Sequence, residues 1–173
     1  MANSDASINI RTARPQDYEA IDAVLRRAFA EATYSNQTEG ELVAALYKRN
    51  RIALALIAES DGAVIGYLSF THARMDGLDG DIYCLAPLAV DPDRHKRGIG
   101  AALTEAGLEG LRDLGAAACV VYGDPAYYGR FGFEANPGVT SPGLEQQYFQ
   151  VLFFGSTQAQ GSVTLDPLFA EFE

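Results

Sequence analysis

The sequence predicts an α/β (α+β) fold, a mixed β-sheet with helices on both faces. Two observations carry that reading. Apolar runs at Ile52–Ala58 and Val64–Thr71 flank Ser60-Asp61-Gly62, and Asp-Gly readily supplies the backbone angles of a hairpin turn. Further on, Leu85–Ala118 reads as strand, glycine loop, amphipathic helix and strand. Hairpin-like strands and a strand–helix–strand unit in one chain require a mixed sheet covered by helices. With 173 residues, nearly half of them apolar, the chain is expected to form one domain, 1–173, around a substantial core.

The elements follow in order. Ile8–Arg11 is a short first strand. Pro15 opens a helix, where its missing N–H costs nothing, and Tyr18, Ile21, Leu25 and Phe29 line one face at three- and four-residue spacing. After the polar linker Thr33–Gln37, a second helix is predicted over Glu39–Arg49, with Leu42, Val43, Leu46 and Tyr47 as its stripe. The hairpin strands come next, then a turn-rich stretch, Met75–Gly80, and an apolar run, Ile82–Val90. Pro87 interrupts that run and marks a place where pairing stops, because proline offers no N–H to a ladder. A helix is predicted over Gly98–Leu114. Ile99, Leu103, Ala106, Gly110 and Leu114 form its apolar face, Leu108 lies off that stripe, and Gly115 stops the helix. Ala116–Tyr122 is a buried strand, and a short helix runs through Tyr128. Two more strands lie between Phe133 and Glu173, the clearer at Tyr148–Phe154.

Charge narrows the function classes. The net charge of −10 argues against nucleic-acid binding, which needs a basic face. No apolar run approaches the roughly 18 residues of a membrane span, and Met1–Ser7 is polar, without a signal pattern. A cytoplasmic protein with no membrane partner is expected. Cys84 and Cys119 sit in apolar strands and read as reduced core residues. Neither His72 nor His95 is near a cysteine in sequence, so no metal site is expected.

Chemistry concentrates in the strand–helix–strand unit. Gly98 and Gly100 at a helix start expose backbone N–H groups that have no partner inside the helix and sit at the positive end of its dipole. That is an anion site, suited to phosphate. Arg94, His95, Lys96 and Arg97 add a basic patch in an otherwise acidic chain. A nucleotide P-loop would need Lys-Ser/Thr after the glycines, and a dinucleotide fingerprint a third glycine. Gly98-Ile99-Gly100-Ala101-Ala102-Leu103 has neither.

Leu88-Ala89-Val90-Asp91-Pro92 followed by His95-Lys96-Arg97-Gly98-Ile99-Gly100-Ala101-Ala102-Leu103 resembles the acyl-CoA signature of the GNAT superfamily of N-acetyltransferases. Gly123-Asp124-Pro125-Ala126-Tyr127-Tyr128-Gly129-Arg130-Phe131-Gly132-Phe133 resembles that family's second motif, in the form typical of a bacterial subgroup of predicted N-acetyltransferases. The resemblance covers nearly the whole chain. It implies a GNAT-like mixed, mostly antiparallel central sheet of about seven strands. His95 departs from the usual Gln or Arg.

The resemblance also implies roles. Acetyl-CoA would be the cosubstrate and CoA the product. Its pantetheine arm would pair with the backbone of Leu88, Ala89 and Val90, in a gap that opens near Pro87. The pyrophosphate would meet the amides of Arg97, Gly98, Ile99, Gly100 and Ala101, beside the basic side chains of His95, Lys96 and Arg97. Tyr128 matches the tyrosine that protonates the leaving thiolate, a general acid, with Tyr127 beside it at the cofactor. The acceptor would be a primary amine of a small molecule or peptide, and a homodimer stays open. A pairing of Asp124 with Arg130 is expected to shape the turn. Glu59 and Asp81 are acidic candidates near the cleft, read as surface carboxylates, and no base is assigned. The competing function is a non-catalytic CoA-binding or partner-binding module.

Overall fold

The computed structural model describes residues 7–172, so all but Ser7 of the polar Met1–Ser7 stretch lies outside the described residues. Strand β1 (Asn9–Thr12) leads through one 3-10 turn at Pro15–Asp17 into helices α1 (Tyr18–Phe29) and α2 (Glu39–Lys48). Strands β2 (Ile52–Ser60), β3 (Ala63–Met75) and β4 (Ile82–Val90) follow, then α3 (Ile99–Asp113), β5 (Ala118–Tyr122) and the one-turn helix α4 (Pro125–Tyr128). The chain continues through β6 (Val139–Thr140), β7 (Phe149–Phe153), β8 (Gly161–Thr164) and a last turn of helix, α5 (Leu168–Glu171).

The sheet runs β1-β2-β3-β4-β5-β7, with β8 on the far end of β3 and β6 paired to β8. Eight strands form where about seven were expected, because the long β3 carries β8 at Arg74 and Met75, beyond the hairpin. β4–β5 and β6–β8 are parallel, and the other ladders are antiparallel. The β2–β3 hairpin turns at Asp61 and Gly62, both at positive φ, as Asp-Gly predicts.

Side-chain alternation gives each face its own cover. α3 lies on one face, against Leu68, Phe70, Leu85 and Val121. Ile21, Leu25 and Val43 of α1 and α2 cover Ile57 and Tyr67 on the other. Cys84 and Cys119 are buried and unbonded, and burial pushes the Cys84 thiol up to about 12.

The predicted stripe of α3 needs correction. Leu108 is 3% exposed and Leu114 is 53% exposed, the reverse of the expectation. Gly107 and Gly110 are the cause. A Cβ at Gly107 would stand 2.7 Å from the Phe70 ring, and one at Gly110 would stand 2.9 Å from Leu54. The helix therefore sits so low on the sheet that a wider arc is buried. Leu114 lies just past the last helical residue and turns outward.

Candidate functional site

The site grows from a break in the sheet. β4 pairs with β5 only at Ile82, Tyr83 and Cys84, after which the two strands diverge. The break comes three residues before Pro87, earlier than the proline alone implied. Ala86 and Pro87 form a bulge opposite Ser69, whose Oγ donates to the Ala86 carbonyl at 3.0 Å.

Beyond the bulge, β4 is still paired with β3 along its other edge. Asp91 N–H donates to the Ile65 carbonyl at 2.8 Å, and the register sets Ala89 opposite Tyr67. Antiparallel alternation then turns the backbone groups of Ala89 toward β3 and those of Leu88 and Val90 toward the open gap. Of the three predicted arm-binding residues, two therefore present backbone to the gap, and Ala89 does not.

The glycine loop closes one end of this edge. Asp91 accepts from the Asp93 amide at 3.0 Å and from Arg27 of α1 at 2.8 Å, tying the loop down. His95 Nε2 donates to the Val90 carbonyl at 3.2 Å, so this side chain turns back on β4. Gly98 adopts φ +76°, with nothing within 4 Å of where a Cβ would be. Ile99, the first helical residue, is 2% exposed and anchored over Gly66. The first-turn amides of Ile99, Gly100 and Ala101 lack intrahelical partners. Arg94, Lys96 and Arg97 form no ion pair among the described residues.

Two tyrosines of α4 stand beside this helix start. The Tyr127 hydroxyl rests on the first turn of α3, 2.7 Å from where a Gly100 Cβ would lie. Gly100 thus admits Tyr127. The Tyr128 ring lies against Gly123, whose Cβ would be 2.6 Å from Cε2. It makes edge contacts with Tyr127 at 4.9 Å and Phe133 at 5.9 Å. Burial raises the Tyr128 phenol well above its ordinary range, and the hydroxyls of Tyr127 and Tyr34 add to the effect. The phenol is therefore protonated at neutral pH. Burial raises Tyr127 in the same direction.

Several expectations about neighbouring charges change. Asp124 caps α4 by accepting from the Ala126 amide at 2.9 Å. Arg130 packs over the Tyr127 and Phe131 rings at 5.4 Å rather than pairing with Asp124. Glu59 is held by Arg11 and Asn9, in an ion cluster with Asp17. The loop after α1 carries the exposed Tyr34 and is pinned by the chain end, since Asn36 and Thr38 both donate to the Phe172 carbonyl.

One buried residue at this site escaped the sequence reading. Gln150 is 1% exposed and donates from Nε2 to the carbonyls of Gly123, at 3.1 Å, and Tyr148, at 3.3 Å. Its signal was a lone polar residue in the apolar run Phe149-Gln150-Val151-Leu152-Phe153.

The chain is similar to known proteins in sequence and in fold. Residues 51–135 match the model of the acetyltransferase (GNAT) domain. The chain is 41% identical over 126 residues, 72% of each chain, to the protein of Escherichia coli (strain K12) named uncharacterized N-acetyltransferase YhbS. The structure of that protein from Escherichia coli in complex with CoA superposes with a TM-score of 0.89 at 33% identity, covering 100% of this chain and 97% of that one. A GNAT family acetyltransferase from Brucella melitensis, in complex with acetyl-CoA, superposes with a TM-score of 0.83 at 41% identity, covering 95% of this chain and 99% of that one.

Proposed function

Because the chain belongs to the GNAT family of acetyltransferases, we propose that it binds acetyl-CoA and transfers the acetyl group to a primary amine of a small molecule or peptide. One observation carries this reading. The unpaired edge of β4 leads to a glycine-rich helix start, beside which the partly buried Tyr128 packs against the Tyr127 that rests on Gly100.

The residues fit the cosubstrate part by part. The amides of Ile99, Gly100 and Ala101, at the positive end of α3, suit a pyrophosphate. The open space at Gly98 lets phosphate oxygens approach backbone. Arg94, Lys96 and Arg97 add positive charge and have no carboxylate partner among the described residues. The backbone groups of Leu88 and Val90 offer the amide-bearing arm a strand to pair with, and His95 shares the Val90 carbonyl. Two relatives of this fold have been crystallised with acetyl-CoA or CoA.

Acetyl-CoA supplies an activated thioester. The acceptor nitrogen forms a bond to the acetyl carbon and sheds its proton to solvent as the carbon–sulfur bond breaks. Tyr128 donates its phenolic proton to the departing sulfur, which leaves as the thiol of CoA, and the phenolate then regains a proton from solvent. Tyr127 and Phe133 hold the Tyr128 ring from two sides.

Acetyl-CoA is expected to raise the thermal midpoint, since a ligand that binds only the folded state stabilises it. No shift at saturating concentration would overturn the cosubstrate assignment. Release of free thiol is then measured over a panel of amines, amino acids, polyamines and peptide N-termini. Release with at least one of them supports transfer, and silence across the panel favours a CoA-binding module.

A further inference from the structure

Gln150 stands where a fold alone would place an apolar side chain. Its neighbours on β7, Phe149 and Val151, are buried in the core, and Gln150 is as buried as they are. Both groups within reach of its amide are carbonyls, so the amide's NH2 end must face them. The other end, Oε1, is buried without a hydrogen-bond partner among the described residues. An unpaired buried acceptor is destabilising. Leucine at this position would avoid that cost, so the amide is retained for what its donors hold.

What they hold is the turn beneath Tyr128. The Gly123 carbonyl accepts from Gln150, while the Gly123 amide donates to the Tyr148 carbonyl, the second acceptor of Gln150. The Tyr128 ring lies directly on Gly123. Asp124, next in the chain, accepts from the Tyr128 amide at 3.0 Å. A rigid path thus runs from Gln150 through Gly123 and Asp124 to Tyr128.

We propose that Gln150 is a positioning residue, clamping the β5–α4 turn so that the Tyr128 hydroxyl is held at the cosubstrate's sulfur. This rests on the assignment of Tyr128 as the acid. Sulfur recognition can be read without an acceptor by comparing the calorimetric affinities of CoA and desulfo-CoA. The wild-type chain is expected to prefer CoA by about fivefold, the worth of one ordinary hydrogen bond. Tyr128→Phe abolishes the preference. Gln150→Met, which keeps the side chain's length, also abolishes it while leaving desulfo-CoA affinity within twofold. In the double variant, Gln150→Met changes nothing further.

An unchanged preference in Tyr128→Phe would overturn the acid assignment and, with it, this proposal. A loss in Tyr128→Phe with none in Gln150→Met would overturn the positioning role alone. A parallel fall in desulfo-CoA affinity would mark Gln150 as general scaffolding and overturn it too. Should Gln150→Met fail to fold, Gln150→Glu is read by the same criteria. There the preference is expected to return in part as pH falls and the single O–H of a protonated carboxyl donates to one of the two carbonyls.

Discussion

The β2–β3 pair and the β4–β5 pair are built on opposite principles. β2 and β3 stay in register from Ile52–Thr71 to Ser60–Ala63, with two irregularities, whereas β4 and β5 share three positions and separate. The first pair has its backbone groups occupied. The second leaves N–H and C=O groups that a ligand is able to pair. Charge is divided the same way. Next to β2, Arg11 is spent on Asp17 and Glu59. Beyond β4, Arg94, Lys96 and Arg97 have no such partners among the described residues. Backbone and charge are satisfied internally in the first region, and in the second they are left for a ligand to satisfy.

That division can be broken deliberately. At the open end, Tyr128→Phe is expected to lower turnover about 100-fold at saturating acetyl-CoA, while the dissociation constant rises by no more than about fivefold, the worth of one hydrogen bond to the sulfur. Steady-state kinetics beside calorimetry checks this, and equal losses in both would point to packing. Gly100→Ala places a Cβ against the Tyr127 hydroxyl. It is expected to weaken acetyl-CoA binding about tenfold, or 1.4 kcal/mol, without lowering stability through helix propensity. Tyr127→Phe in that background should give back part of the loss.

At the closed end the effects fall on stability rather than on binding or turnover. Gly107→Ala drives a Cβ to 2.7 Å from Phe70 and 2.8 Å from Leu68. Overpacking of this kind costs about 1–3 kcal/mol, lowering the thermal midpoint by roughly 2–10 °C in a chain of this size, with acetyl-CoA affinity unaffected. Arg11→Ala should act through pH. Hydrogen bonding to Arg11 holds the Asp17 carboxyl down at about 2 and lowers Glu59 as well. A depressed folded-state pKa contributes stability above the unfolded value, about 4, and that contribution is lost as pH falls toward about 2. Acid thermal scans should therefore fall more steeply over that window for the wild type than for Arg11→Ala.

Much of this was legible beforehand, for local reasons. Asp61-Gly62 announced the hairpin, Pro15 the start of α1, and Gly98-Ile99-Gly100 the helix start with free amides, since each depends on backbone angles that few residues supply. Pro87 announced a break in pairing but not its position. That position depends on how far β5 keeps pace with β4, and pairing ends at Cys84. Gln150 was visible only as a polar letter in an apolar run. Its meaning needed Gly123, 27 positions away in sequence.

By itself, the sequence determined the element order as far as α4, the glycine-rich helix start with its free amides and the aromatic pair Tyr127-Tyr128, because these follow from periodicity, turn chemistry and neighbouring residues. Only the tertiary structure decided which backbone groups of Leu88, Ala89 and Val90 face the gap, how low α3 sits on Phe70, and that Gln150 holds the turn under Tyr128. Those facts depend on strand register and on the close approach of distant glycines, and no local pattern encodes the distance between two segments until the chain has packed.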